Sequence, residues 1–313
     1  MSLKFFLHDS GLDHDTGADH PERIARLETV MAVLKEADFA ACDRHVASPA
    51  TTEQLTLVHE PIYVDGVLKA IPTAGHRRLD GDTVLSPGSG DAALHAAGAA
   101  IAAVDWVLDQ DQAAQEKRRA FVATRPPGHH AEPGEAMGFC LFNNIAIAAR
   151  HAQQTHGLER VAVIDFDVHH GNGTQTVANA HANLFYASIH EFPLFPGTGL
   201  PTETGVANNV LNIIMRAGSD GASYRQAFDH SLIPALTKFE PQLVMISAGF
   251  DAHERDPLAG MVLTDDDFGW MTAALTRFAD EQADGHVVSV LEGGYDLQGL
   301  AGGVRAHLKA LQA

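Results

Sequence analysis

The sequence predicts an α/β fold in which helices cover both faces of a parallel β-sheet. Short runs rich in Val, Ile and Phe alternate with longer, Ala-rich stretches along the chain. The short runs are continuously apolar, which is typical of strands buried on both faces of a parallel sheet. The predicted strands are Lys4–His8, Ala120–Thr124, Arg160–Phe166, Asn183–His190, Val210–Met215, Leu243–Ala248 and Val287–Leu291. The predicted helices are Pro21–Ala37, Asp91–Leu108, Asn143–His156, Tyr224–Phe239, Asp265–Ala283 and Gln298–Leu311.

Length and composition indicate a globular protein. The 313 residues are interpreted as one domain, because α/β folds of this size often form a single unit. The sequence contains no run of about 18 apolar residues, so we expect no membrane span. Residues 1–9 are too short a segment, and become charged too early, for a secretion signal. We therefore expect a cytoplasmic protein.

The cysteine content and the net charge exclude some kinds of site and partner. Cys42 and Cys140 are the only cysteines, so neither a disulfide framework nor a thiolate zinc site is expected. Asp and Glu number 40 against 21 Lys and Arg, a formal charge of −19. Such a surface repels nucleic acid but is compatible with a cationic substrate. We expect no direct DNA or RNA binding, and the sequence is compatible with a homo-oligomer. The polar stretch Gln110–Arg119 is predicted to be a surface connection.

Polar clusters follow four of the predicted strands. They are Arg125–His130, Asp167–Gly171, Gly249–Asp251 and Glu292–Tyr295. In parallel α/β sheets, functional sites form outside the carboxyl ends of the strands. We therefore expect these four clusters to converge in space.

Three residues in these clusters have the chemistry of a metal site. Asp167 and His169 are two residues apart, so in extended chain their side chains point to the same side. Asp251 ends another strand and can supply a third ligand, which leaves an open position of the kind a catalytic zinc requires. Zn²⁺ is the first choice and Fe²⁺ the second, although Mn²⁺ and Co²⁺ accept the same ligands. Asp165 lies on the same side, and either orients a histidine or contributes to a second cation site.

The adjacent imidazoles of His129 and His130 are suited to acid–base work near neutral pH. Each imidazole needs a partner on its other nitrogen, and Asp165 and Asn172 are candidates. A carboxylate raises the basicity of its histidine whereas a neutral amide does not, so different partners would separate the two roles. Tyr295 follows two glycines, and its phenol could donate to an oxyanion.

Six motifs together resemble those of histone deacetylases, most closely the class II branch and its bacterial deacetylase-like amidohydrolases. The resemblance spans roughly residues 5 to 310. The motifs are Pro126–Ala131, Gly138–Asn144, Asp165–Gly173, Phe195–Gly199, Ser247–Asp251 and Glu292–Tyr295.

The resemblance implies the arginase/deacetylase fold, with about eight parallel strands between helices. It implies that Asp167, His169 and Asp251 bind zinc. By the same comparison, His130 is the proton shuttle and His129 is its electrostatic partner near Asp165. Asn172 stands where the class I branch has Asp, and Tyr295 takes the position of the transition-state tyrosine.

The resemblance also implies a substrate tunnel. Gly138 and Phe139 match one wall of it, Phe195 matches the facing aromatic ring, and Leu258 matches the gatekeeper position. Polyamine-specific relatives carry Glu at the gatekeeper position, so Leu favours acyl-lysine. Arg23 matches an arginine beneath the active site. A structural potassium site is implied near the zinc, with ligands from Asp165, Asp167, His169 and Ser188, partly through carbonyls.

The predicted function is therefore removal of acetyl or related acyl groups from lysine side chains or similar amines. An acetylpolyamine or other small acyl-amine deacetylase of the same family is the alternative. A binuclear manganese hydrolase of the arginase kind would need further acidic ligands beside Asp167 and Asp251, where Val168 and Phe250 stand. A non-enzymatic protein that binds acyl-lysine is the remaining alternative.

Overall fold

The computed structural model describes residues 2–109 and 117–313 and confirms the predicted α/β fold. Its main sheet has eight strands, all parallel, in the order β2-β1-β5-β10-β9-β6-β7-β8. The strands are β1 Ser2–Leu7, β2 Asp43–Val46, β5 Arg118–Ala123, β6 Val161–Asp165, β7 Leu184–Glu191, β8 Val210–Met215, β9 Leu243–Ala248 and β10 Val287–Leu291. A separate antiparallel pair is formed by β3 Arg77–Arg78 and β4 Val84–Leu85.

Helices lie on both faces of this sheet. Those before β6 are α1 Ile24–Leu34, α2 Thr52–Leu55, α3 Pro61–Ala70, α4 Ser89–Leu108 and α5 Asn144–Thr155. Those after β6 are α6 Asn172–Ala180, α7 Gly221–Ala227, α8 Ile233–Phe239, α9 Asp265–Gln282 and α10 Leu297–Gln312. A π-helical turn over Phe228–Leu232 joins α7 to α8, so the single helix predicted over Tyr224–Phe239 is interrupted.

The core of the described residues has one apolar layer on each face of the sheet and a third hydrophobic cluster among α2, α3, α4 and α5. In β6, Ala162 and Ile164 belong to the layer under α9 and α10, whereas Val161 and Val163 belong to the layer under α4 and α5. The neighbouring central strands divide in the same alternating way, because successive side chains of a strand point to opposite faces. Both faces are covered, which is why the strands read as continuous apolar runs.

The seven predicted strands are all present; the prediction missed β2 of the main sheet and the short pair β3 and β4. Strand β2 lies at the edge of the sheet and its four residues are exposed, so it lacks an apolar signature. The predicted surface connection Gln110–Arg119 was partly wrong. Residues 110–116 lie outside the described part of the chain, but Arg118 and Arg119 are buried at the start of β5. Both guanidinium groups have partners within the protein. Arg118 donates to the carbonyl oxygens of Trp106 and Asp109, and Arg119 forms an ion pair with Asp280.

Helix α4 is long and apolar enough to cross a membrane by length and composition. The core helix of a globular protein passes the same test, and 67% of the apolar window is buried inside this protein. The helix packs on β5 and α5, and its buried alanines belong to the core layer of that face.

Candidate active site

The four polar clusters follow four adjacent strands at the centre of the sheet, β5, β10, β9 and β6. Their last residues are aligned by the ladder: Asp165 pairs with Ser247, and Leu291 pairs with Ala248. The four segments that carry the polar clusters therefore leave the sheet at the same edge. The convergence expected from the sequence is confirmed.

Asp167, His169 and Asp251 form a buried cluster at this edge. Each offers one ligand atom, and these atoms all lie within 4.8 Å of one another. His169 Nδ1 lies 3.2 Å from Asp167 Oδ1 and 3.0 Å from Asp251 Oδ2. His169 Nδ1 thus lies within hydrogen-bond distance of both carboxylates. The three groups together are a ligand set that a divalent cation accepts.

The electrostatics of the cluster fit a cation. Burial and the neighbouring Asp167 raise the pKa of Asp251 to about 7. Burial by itself would lower the pKa of His169, but its hydrogen bonds to Asp167 and Asp251 raise it to about 10. Two carboxylates this close demand positive charge between them. The backbone passes close to both carboxylates at Gly293, where a Cβ would lie 2.2 Å from Asp251 Oδ2 and 2.5 Å from Asp167 Oδ2, so a larger residue would displace them.

The two neighbouring imidazoles have different partners. His129 Nδ1 lies 3.0 Å from Asp165 Oδ2, and His130 Nδ1 lies 2.9 Å from Asn172 Oδ1. Their ring centroids are 4.0 Å apart. One imidazole therefore faces a carboxylate and the other a neutral amide.

The amide also defines the tautomer of His130. Asn172 Nδ2 donates to Glu132 Oε1 at 2.7 Å and to the carbonyl oxygen of His130 at 3.2 Å. Its Oδ1 is then the atom that faces His130, so His130 Nδ1 must donate a proton to it. Neutral His130 consequently carries its free lone pair on Nε2.

The electrostatic environment separates the two imidazoles. Burial would lower the pKa of His129, but Asp167 and Asp165 raise it to about 10. Burial and the neighbouring His129 hold the pKa of His130 well below its usual range. The two imidazoles therefore differ in basicity: a proton is favoured on His129 and disfavoured on His130.

Tyr295 lies at the same site and is held by its backbone. Its N–H donates to Asp256 Oδ2 at 2.7 Å, while its hydroxyl bonds to none of the described residues. Burial raises the pKa of the phenol well above its usual range, so Tyr295 keeps its proton. A protonated phenol can act as a hydrogen-bond donor.

The arginine expected beneath the site is Arg26, and the prediction of Arg23 was wrong. Arg26 is fully buried; it donates to the carbonyl oxygens of Gly294 at 2.6 Å and Glu292 at 2.5 Å, and it pairs with Glu22 at 2.9 Å. Arg23 is exposed, because it is the residue that precedes α1. Arg26 lies in the first turn of that helix, on the face turned inward.

Aromatic rings stand on two sides of the approach to the cluster. Phe139 meets the Tyr295 ring edge-on with centroids 5.8 Å apart, and Phe195 meets the His130 ring in the same way at 5.1 Å. Phe195 is 40% exposed, so this wall reaches the surface. Phe139 has a φ of 69°, a strained value for a bulky residue, and Gly138 before it also has a positive φ. The strained turn directs the ring into the site.

The remaining predicted residues lie close by. Leu258 is partly buried, and its N–H donates to Asp256 Oδ1, the carboxylate that also binds the Tyr295 backbone. Asp165 and Ser188 are neighbours in the ladder between β6 and β7. Asp165 is fully buried, and the hydroxyl of Ser188 bonds to His190.

Residues 20–311 of this chain match the histone deacetylase domain family. The chain belongs to the histone deacetylase family. A histone deacetylase-like amidohydrolase of Pseudomonas aeruginosa is 41% identical over 89% of this chain and 72% of its own length. Histone deacetylase 10, chloroplastic, of Oryza sativa is 37% identical, over 93% of this chain and 69% of its own. The crystal structure of the HDA15 HD domain superposes with a TM-score of 0.90 at 32% identity, covering 99% of this chain and 89% of that one. These relatives fit a hydrolase that acts on amides.

The sequence analysis missed several residues that shape the site of this family member. Glu292 accepts hydrogen bonds from the backbone N–H groups of Gly128 and His129, at 2.7 and 3.1 Å, and so connects β10 to the histidine pair. Tyr186 donates to Asp165 Oδ2 at 3.0 Å. Glu292 could have been found, since it opens one of the six motifs; nothing in the sequence marks Tyr186.

Proposed function

We propose that this protein is a zinc-dependent hydrolase that removes acetyl or related acyl groups from lysine side chains or similar amines. The observation that carries the proposal is the convergence of Asp167, His169 and Asp251 beside two imidazoles with different partners. The three ligand atoms suit one cation, and the imidazole pair suits transfer of the protons that amide hydrolysis requires.

Asp167, His169 and Asp251 would hold the metal. Bound there, Zn²⁺ would polarise the acyl carbonyl and lower the pKa of a water molecule. Fe²⁺ accepts the same ligands and is the second candidate. A potassium ion near Asp165 and Ser188, held partly through backbone carbonyls, is proposed as a structural cofactor.

The two imidazoles would divide the acid–base work. The Nδ1–H of His130 donates to Asn172 Oδ1, so its Nε2 is unprotonated. We therefore assign His130 to accept the proton of the attacking water. The same atom would return that proton to the departing amine. His129, bonded to Asp165, would be its electrostatic partner, because the carboxylate beside the pair favours the positive charge that His130 gains.

Tyr295 would donate its free hydroxyl proton to the oxygen of the tetrahedral intermediate. Its ring is fixed between Phe139 and Arg26, and its backbone by Asp256. A donor placed in advance needs no reorganisation as negative charge develops on the oxygen.

The aromatic walls suit a substrate whose side chain is uncharged along its length. Phe139 and Phe195 present faces and edges on which the methylene groups of acyl-lysine can pack. Leu258 adds no carboxylate near the entrance that would attract the second ammonium of a polyamine. These features favour acyl-lysine over acetylpolyamines, and the net charge of −19 disfavours nucleic acid as a partner.

A binuclear manganese centre is disfavoured by the residues beside the proposed ligands. Val168 and Phe250 are fully buried apolar residues and cannot bind a second ion. Asp165, a further carboxylate beside the cluster, is already bonded to His129 and Tyr186.

We further propose a reducing compartment such as the cytoplasm. Both cysteines, Cys42 and Cys140, are free and buried, which is the ordinary state of cysteines in such a compartment.

A substrate panel tests the function. The metal-loaded protein should hydrolyse a fluorogenic acetyl-lysine peptide, and a hydroxamate that binds the metal should inhibit it. Comparison of kcat/KM for acetyl-lysine, longer acyl-lysines and acetylpolyamines should favour a lysine substrate. Binding of the peptide without hydrolysis would indicate the non-enzymatic alternative, and a preference for acetylpolyamines would overturn the substrate class.

A further inference from the structure

A second cluster of metal-ligating side chains joins helices α4 and α5. It consists of Asp105, near the end of α4, His151, in the last turns of α5, and His156, the residue that caps α5. The end of α4 contacts the start of β5, since Arg118 donates to the carbonyl oxygen of Trp106 at 2.7 Å, and β6 begins at Val161, shortly after His156. The cluster therefore lies at the amino edge of the sheet, opposite to the edge that carries the candidate active site.

Both imidazoles direct the same kind of atom at one carboxylate oxygen. His151 Nε2 and His156 Nε2 each lie 2.7 Å from Asp105 Oδ1. The other ring nitrogen of His151 contacts the Thr155 hydroxyl at 3.2 Å, which orients that ring. Without an ion, two N–H groups share one acceptor. With both Nε2 atoms deprotonated, the same arrangement offers two nitrogen ligands and one oxygen ligand to a cation.

The exposure and charge of the cluster suit a bound ion with water on its open side. The Asp105 side chain is 50% exposed and that of His156 is 24% exposed, so solvent reaches the point where the three groups meet. A carboxylate this exposed is ionised at neutral pH, so Asp105 is available as a ligand.

A third grouping does not have this geometry. His8 and His95 lie near Asp91, but their rings are stacked in parallel with centroids 3.5 Å apart. Their Nδ1 atoms already bond to Ser10 and to the Asp91 carbonyl oxygen. In-plane lone pairs of parallel rings do not converge, so this grouping carries no proposal.

We propose that Asp105, His151 and His156 form an accessory site for a divalent transition-metal ion, of which Zn²⁺ is the representative. Two imidazoles and a carboxylate are a ligand set that zinc accepts. The ion would tie the end of α4 to the end of α5 and stabilise the helical layer on that face of the sheet.

Counting bound Zn²⁺ in four full-length proteins tests this site separately from the active site. The proteins are the unchanged chain, Asp251→Ala, His156→Gln and the double variant, each stripped of metal with a chelator and titrated with Zn²⁺. We expect the Asp251→Ala and His156→Gln changes each to remove one equivalent, at different sites. Loss of a ligand should weaken accessory binding by more than about 100-fold, because loss of an outer partner alone costs about 10- to 100-fold.

Thermal unfolding supplies a second readout. Zn²⁺ should raise the Tm of Asp251→Ala, in which only the accessory site remains, and should fail to raise that of the double variant. Asp105→Asn should behave like His156→Gln. His230→Gln is the matched control, since His230 is an exposed histidine of the π-helical turn whose Nδ1 bonds to the carbonyl oxygen of Gln226.

Binding by His156→Gln and Asp105→Asn with the affinity and stoichiometry of the unchanged chain would overturn the proposal. The proposal would also be overturned if the Asp251→Ala variant bound no Zn²⁺ and its Tm did not rise on addition of Zn²⁺. Loss of binding in His230→Gln as well would show that surface histidines bind the ion without a defined site, which also overturns it.

Discussion

The guanidinium of Arg26 lies over the ring of Tyr295, 4.9 Å from its centroid. The same group donates to the backbone carbonyls on either side of Gly293 and is neutralised by the buried Glu22. Arg26 therefore fixes the backbone of the loop that carries Tyr295, and we assign it no reactive role of its own.

Replacing Arg26 should damage both stability and activity. Arg26→Ala leaves the buried carbonyl oxygens of Gly294 and Glu292 without their donor, although Glu22 keeps Arg125 as a charged partner, and should cost about 3 kcal/mol of unfolding free energy, measured by urea denaturation. Arg26→Lys keeps the charge but not the fork of donors, so it should fold better and still lose turnover. Arg23→Ala, three residues away and exposed, is the control and should change stability by no more than about 0.5 kcal/mol. Equal effects at both positions would contradict the assignment of the buried arginine.

Tyr295→Phe should lower kcat by a factor on the order of 10²–10³, as for the loss of an oxyanion donor. The ring contacts with Phe139 and Arg26 remain, so the Tm and bound metal should not change. The measurement is steady-state hydrolysis of an acetyl-lysine peptide. Turnover close to that of the unchanged protein would refute the role of the hydroxyl.

Asp251→Ala should abolish metal binding at the active site. The change removes one of two carboxylates that share His169, and Asp167 with His169 alone cannot complete the ligand set. Metal analysis should show the loss of one equivalent, whereas a binuclear centre would lose two. Asp229→Ala, on the exposed side of the π-helical turn, is the control and should retain all metal. Full retention in Asp251→Ala would disprove the ligand assignment.

Leu258→Glu should shift the preference toward acetylpolyamines. A carboxylate near the entrance would attract a second ammonium, and an exposed ion pair of about 1 kcal/mol corresponds to about a fivefold change in the ratio of kcat/KM values. Leu258→Gln matches the size of the new side chain without its charge and should leave the ratio unchanged. An identical shift in both variants would show that size, and not charge, sets the preference.

His307 should make the protein sensitive to acid. It is fully buried between Thr272 and Ser289, and burial lowers its pKa from 6.5 to about 3. The unfolded chain binds the proton more readily, so the contribution of His307 is complete above pH 6.5 and is lost as the pH falls toward 3. Between pH 7 and pH 5 this amounts to about 2 kcal/mol. His307→Asn should lose that much less stability over this interval in urea denaturation, and an unchanged pH dependence would contradict the prediction.

The central strands were predictable because they are buried on both faces. β9 and β10, which are buried along their whole length, have the bounds that their apolar runs predicted. The bounds of β8 were also predicted, although it lies at the edge of the sheet and is only partly buried. β2 could not be found in this way, since an exposed edge strand carries no apolar run. Helix α6 was also missed, because its residues are mostly polar and it begins inside the motif that was interpreted as part of the site.

The amino-acid sequence by itself determined which chemical groups are available and that they follow parallel strands, and from this the shared edge of the sheet could be inferred. Tertiary structure decided which nitrogen of His130 is free, which of two arginines lies under Tyr295, and that Asp105 meets two histidines far from the active site. These depend on the rotation of each helix and on contacts between residues distant in the chain. Local periodicity encodes neither the rotation of a helix nor a contact between distant residues. Both are fixed only when the helices pack against the sheet.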